Sequence, residues 1–186
     1  MGGTGRPAVS EFRDAAFHSG PFTVTVRGAD YTIPARNAAR WMTMLSHPHW
    51  AVEVLYSLTP ESRGRFLDHA EEGDADGPYL SEMARELLSR AAGCPWWEAE
   101  RLASYALSPE ALGALLLKGL DPNRLTLAAF LAAMRSLIMS GLPDTDRMRM
   151  EAELAMVPPE AVAQQPEEDL TSVVERLRGM PGVSIG

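Results

Sequence analysis

The sequence is poor in cysteine and in lysine. It has one cysteine, Cys94, which excludes an internal disulfide and gives no sign of an oxidising compartment. It has one lysine, Lys118, and its arginines are scattered; 17 basic against 25 acidic side chains leave a net charge of −8. That balance argues against duplex nucleic acid as a partner, because clustered Lys and Arg are the footprint of such binding. The acidity is read as serving solubility. Long apolar runs are also missing. The longest, Leu125 to Met139, is too short to span a bilayer and is broken by Arg135. The opening "MGGTGRPAVSEFRDAAF" holds no apolar stretch of the kind a secretory signal needs, and its sixth position is not the Ser or Thr of a good myristoylation site. The expectation is a cytoplasmic protein without a membrane or nucleic-acid partner.

Recognisable catalytic chemistry is absent as well. A cysteine nucleophile needs a base within hydrogen-bond reach, and no histidine lies within twenty residues of Cys94 in the sequence. "HPH" brings His47 and His49 together, but no acidic or cysteine ligand follows at a zinc-site spacing. The acidic run "EEGDADG" lacks the alternating Asp ligands and the closing Glu of a calcium loop. "GALLLKG" is not a phosphate-binding loop, and neither G-x-G-x-x-G after a strand nor G-x-S-x-G occurs. The chain is therefore expected to be no enzyme and to need no cofactor or metal.

What is present is an apolar, helix-forming pattern. With 186 residues and 46% hydrophobic content the chain can bury a core of ordinary size. "FTVTV" (Phe22 to Val26) and "YTI" (Tyr31 to Ile33) alternate on either side of "RGAD", which predicts a β-hairpin ended by Pro34. The period then becomes helical. Ala35 to Leu45 forms one helix and Trp50 to Ser57 a second. A third starts at Thr59-Pro60 and runs to about Ala70, before an acidic loop from Glu71 to Gly77. In "PYLSEMARELLSRAAG", Leu80, Met83, Ala84, Leu87 and Leu88 line one face, and Gly93 closes the helix. Further helices are predicted from Pro95 to Leu107, from Ser108-Pro109 to near Gly119, from Leu125 to Ser140, and in "PDTDRMRMEAELAM" to Met156. The fold class is mainly α, a small N-terminal hairpin packed on a multi-helix bundle. Residues 1–20 read as a flexible arm with one turn of helix around Phe12 to Phe17, and 21–157 as the core domain. Residues 158–186 read as a flexible, linker-like tail with a short amphipathic segment from Asp169 to Arg178.

Candidates for binding are aromatic and thioether side chains. Trp96 and Trp97 are adjacent, about 100° apart on a helix. Trp96 shares spacing with Ala99, Ala103 and Leu107, so Trp97 is expected to be the more exposed and the better interface anchor. Glu98 and Arg101 are expected to be solvated. Met134, Met139, Met148 and Met150 cluster in the last two helices, where methionine fills gaps or makes an adaptable groove.

The order of these segments resembles a known family. A hairpin "FTVTVRGADYTIPA" leads into "ARNAARWMTML"; "GCPWWEAERLA" follows, then "KGLDPNRLTL" and another helix. Over residues 20 to 140 this is similar to the tail assembly chaperones of siphophages and prophages of actinobacteria. The resemblance implies a protein that binds the long helical tape measure protein, keeps it soluble and helps recruit tail tube protein. It also implies a possible frameshifted longer form, with the region after Pro158 leading to the extension. The alternative reading is a structural protein of the virion, a head–tail connector or tail completion protein.

Overall fold

The computed structural model describes residues 20–156. The sequence readings for the N-terminal arm, the turn at Phe12 to Phe17, the tail and its segment from Asp169 to Arg178 lie outside the described residues. Within them the fold is mainly helical, a two-stranded antiparallel hairpin followed by eight helices.

Strands β1 (Phe22–Val26) and β2 (Ala29–Ile33) pair Phe22 with Ile33, Val24 with Tyr31 and Val26 with Ala29. The turn is shorter than the sequence suggested. Only Arg27 and Gly28 form it, while Ala29 and Asp30 join β2. Both turn residues have positive φ, 48° and 88°, the geometry whose twist matches that of the flanking strands. Arginine is unusual in that region. Its side chain is held in place from the helix Gly77–Ala92, with the guanidinium 2.8 Å from Glu82 and 5.2 Å from the centre of the Tyr79 ring.

The alternation works as predicted. Val26, Ala29, Tyr31 and Ile33 are buried, and Thr23, Thr25, Asp30 and Thr32 form the other face. There Thr23 bonds Thr32 and Thr25 donates to Asp30. The outward edge of β2 is covered. Thr32 donates its N–H to Ser62 Oγ (2.8 Å) and accepts from the Thr59 N–H (2.9 Å), and Arg65 donates to the Asp30 carbonyl. Satisfying these groups blocks that edge against pairing with another strand.

The helices are α1 (Ala38–Leu45), α2 (Trp50–Ser57), α3 (Pro60–Glu72), α4 (Gly77–Ala92), α5 (Trp96–Ala106), α6 (Pro109–Leu117), α7 (Leu127–Ser140) and α8 (Asp144–Ala155). Caps explain most boundaries. Thr59, Ser108 and Thr126 each accept a hydrogen bond from the backbone N–H three residues on. Gly93 closes α4 with φ 68°. Several boundaries differ from the sequence reading by a residue or more, and two of them have a clear side-chain cause. Asn37, not Ala35, opens α1, because its side chain accepts from the Arg40 N–H. The acidic loop shrinks to Gly73–Asp76, because Asp76 caps α4 through the Tyr79 N–H and α3 continues to Glu72.

Helix α4 is the centre of the assembly. It touches β1, α2, α5 and α7. Leu80, Met83, Ala84, Leu87 and Leu88 are all buried, each large side chain contributing about 1.5–3 kcal/mol by leaving water. The segment between α6 and α7 folds back onto the start of α1. The carbonyls of Leu125 and Pro122 accept from the Ala38 and Ala39 N–H groups at 2.8 and 3.1 Å, and Asn37 donates to the Asn123 carbonyl. These N–H groups have no partner within their own helix, so the "DPNRLT" loop completes α1 and joins the two halves of the chain.

Candidate interaction surface

Each sequence-picked side chain has a definite place in this frame. Trp96 and Trp97, at the start of α5, pack edge to face with ring centres 5.7 Å apart. Both are half-buried. Trp96 packs against the core, with the Arg85 guanidinium of α4 over its ring at 4.3 Å. The Trp97 indole N–H is buried and has no hydrogen-bond partner among the described residues. The pair therefore forms part of the joint between α4 and α5.

The methionines separate. Met134 is 1% exposed and belongs to the core, which removes it from any adaptable surface. It falls on the inner stripe of α7 with Leu127, Phe130 and Leu131. Met139 and Met150 are half-buried against that core, whereas Met148 on α8 is 66% exposed.

Two polar side chains expected to be solvated are structural ties. Glu98 forms a 2.6 Å ion pair with Arg135, linking α5 to α7. Arg101 donates to the carbonyls of Glu153, Leu154 and Met156. It thereby caps the C-terminus of α8, where backbone acceptors lack intrahelical partners. Neighbouring Glu100 has its carboxyl raised above the usual range by burial; a hydrogen bond from Trp50 and the charges of Arg85 and Arg101 act in the opposite sense.

Cys94 lies between α4 and α5. Burial pushes its thiol up to about 12, with Glu98 adding to the shift. The thiol is therefore protonated at neutral pH, the opposite of an activated nucleophile. His47 and His49 have ring centres 5.8 Å apart, and the His47 ring nitrogen accepts from the His49 backbone N–H. Among the described residues no three His, Cys, Asp or Glu side chains are placed to hold a metal ion. Nor is any helix there long and apolar enough to cross a membrane.

A polar cluster sits under the hairpin. The Tyr79 hydroxyl donates to the Val26 carbonyl, so it must accept from Tyr31, 2.8 Å away. The only Tyr31 proton is then used, and His69 Nδ1, 3.2 Å away, must be the donor to Tyr31. The chain of bonds fixes the Nδ1-protonated ring and pins α3 and α4 to β2. An open cleft of about 380 Å³ lies beside it, lined by Arg27, Gly28, Ala29, Asp30, Arg65 and His69.

Among the described residues, four exposed leucines lie elsewhere, on and beside α6. Leu107, Leu112, Leu116 and Leu117 are 46%, 37%, 52% and 91% exposed, while Leu115 alone on this helix is buried. Leu107 was expected in the core; Ala106 takes that place, and Leu107 falls at the end of α5. A helix apolar on every side, as "ALGALLL" is, reads as a buried one, so the exposure carries no signal in the sequence. Here α6 packs chiefly on α5. Four exposed leucines within eleven residues form a patch of the kind that marks an interaction site. Covering Leu117 can approach the roughly 1.5–3 kcal/mol of a fully exposed side chain, and covering the other three gives only a part of it. Glu110 and Lys118, both exposed, stand at the two ends of α6. Comparison with protein families, with curated proteins and with solved structures finds no match to this chain.

Proposed function

We propose that the chain is a tail assembly chaperone of an actinobacterial siphophage or prophage. In this reading it works in the host cytoplasm without catalysis, binds amphipathic helices of the tape measure protein and helps recruit tail tube subunits. A frameshifted longer form would carry the same core and the same surface. The observation that carries the reading is the exposed leucine patch of α6 on an otherwise well-buried helical domain. Recognition of an amphipathic helix requires an apolar face, and α6 presents Leu112 and Leu116 one turn apart. The resemblance in the order of segments over residues 20 to 140 supports the tape measure protein as that partner.

Co-expression with the tape measure protein of the same genome tests this. The native chain is expected to keep the tape measure soluble and to co-purify with it. The double substitution Leu112→Glu with Leu116→Glu is expected to reduce recovery at least tenfold while leaving the far-UV spectrum intact. A tape measure that stays insoluble with the native chain, or one recovered equally by the variant, overturns the proposal. Detection of this chain in purified virions would move the assignment to a structural protein of the particle.

A further inference from the structure

We propose that the exposed side of α6 is covered, in the free protein, by α6 of a second copy, the two helices running antiparallel about a two-fold axis. Helix α6 has two apolar sides. Leu115 is buried and Ala111 packs against the core. Pro109, Leu112, Gly113, Leu116 and Leu117 fall at i, i+3, i+4, i+7 and i+8, which is a second apolar stripe. At about 100° per residue, Gly113 points some 160° away from Leu115. The second stripe therefore faces outward, and its Pro109, Leu112, Leu116 and Leu117 are all exposed.

Gly113 is an independent sign of close contact. Glycine weakens a helix interior, and nothing inside the fold calls for it here. A Cβ at this position would meet no atom within 4 Å. It stands in the middle of the outward stripe, where the missing side chain lets a second backbone approach. The leucines on either side of that gap form the ridges that a facing helix interlocks with.

The stripe is complementary to itself. Leu112 and Leu116 lie two residues to either side of Ala114, and Glu110 and Lys118 lie four residues to either side. A two-fold axis level with Ala114 therefore sets Leu112 of one copy level with Leu116 of the other. It also sets Glu110 level with Lys118, once at each end. Both charged side chains are exposed, and Lys118 is the one lysine of the chain. A parallel pair would set like charges together at both ends. The interface is small, on the scale of transient pairs. The dimer needs no other partner; only its exchange for a tape measure helix on the same stripe rests on the proposed function.

Sedimentation equilibrium of the full chain, with no tape measure present, tests this. The apparent mass is expected to rise with concentration from 20.3 kDa towards twice that value. Glu110→Lys sets two positive groups together at each end, and Lys118→Glu two negative ones. Each should raise the dissociation constant at least fivefold, because symmetry counts every change twice. Both substitutions in one chain should return it to the native range, and a mixture of the two single variants should form the mixed dimer. A chain that stays monomeric at every concentration, or single variants that the double variant does not rescue, overturns the proposal. Cross-linking gives a second readout, with Cys94→Ser to remove the native thiol. Under mild oxidation Gly113→Cys should form a product of twice the mass at least tenfold faster than Asp68→Cys, an exposed position on α3; equal rates overturn the proposal as well. The two readings fail separately. A monomer that keeps the tape measure soluble sinks the dimer alone, and a dimer that leaves it insoluble sinks the proposed function alone.

Discussion

Two half-buried groups in α5 and at its start give the fold its sharpest pH signature. Burial raises the Glu100 carboxyl, so the native state takes up a proton at a higher pH than the unfolded chain does. Its contribution to stability is fully present below the ordinary carboxylate range and is lost as pH rises through the raised value. Glu100→Gln keeps an oxygen for Trp50 to bond and removes the ionisation. The variant's melting temperature relative to the native protein should therefore be higher at pH 8 than at pH 4. The opposite trend would mean that Arg85 and Arg101 outweigh burial. Cys94 is the chemical counterpart. With its thiol near 12, the thiolate fraction at pH 8 is ~10⁻⁴, against a fraction of order 0.1 for a free cysteine. Alkylation should run at least 100-fold slower in the folded chain than in urea. Labelling at equal rates would place the thiol in contact with solvent and base.

At the scale of the element, α8 is held by little. Leu154 is its one buried side chain, and Arg101 holds its C-terminal carbonyls. Replacing Arg101 with Ala leaves those acceptors without the guanidinium and should cost about 1–2 kcal/mol. Exchange of α8 amides should quicken well before that of α4, and a uniform change across both helices would mean that α8 does not open separately. The contrast shows what the sequence carried and what it could not. Caps and stops are local chemistry, so Thr59-Pro60, Ser108-Pro109 and Gly93 were readable as boundaries. The inner stripe of α4 was readable from its period. The ties of Glu98 to Arg135 and of Arg101 to α8 join residues 37 or more positions apart, and helical spacing says nothing about which neighbour such a charge will meet. Leu107 was misplaced, and the choice between core and groove for Met134 was left open, for the same reason. Periodicity gives a face, but only the neighbouring elements decide whether that face is covered. The exposed patch on α6 is the clearest case, since its sequence alone would pass for a core helix.

At the scale of the molecule, the bonds from the Ala38 and Ala39 N–H groups to the Leu125 and Pro122 carbonyls bind the hairpin half to the α7 half, and α4 packs on both. Such a layout should unfold as one unit. Trp41 and Trp50 report on the first half, while Trp96 and Trp97 report on the second. Fluorescence from single-tryptophan variants and far-UV circular dichroism should therefore give coincident urea transitions. Leu87, fully buried at the centre of α4, offers the decisive perturbation. Leu87→Ala removes buried methyl groups and leaves a cavity, at a cost of about 2–5 kcal/mol. If the chain is a single cooperative unit, every probe should shift by that same amount. Leu117→Ala, at 91% exposure, should move none of them by more than about 0.5 kcal/mol. Should Trp41 and Trp96 report different midpoints in the Leu87→Ala variant, the Leu125 and Pro122 carbonyl bonds would be too weak to couple the halves. The hairpin, α1 and α2 would then form a separate folding unit.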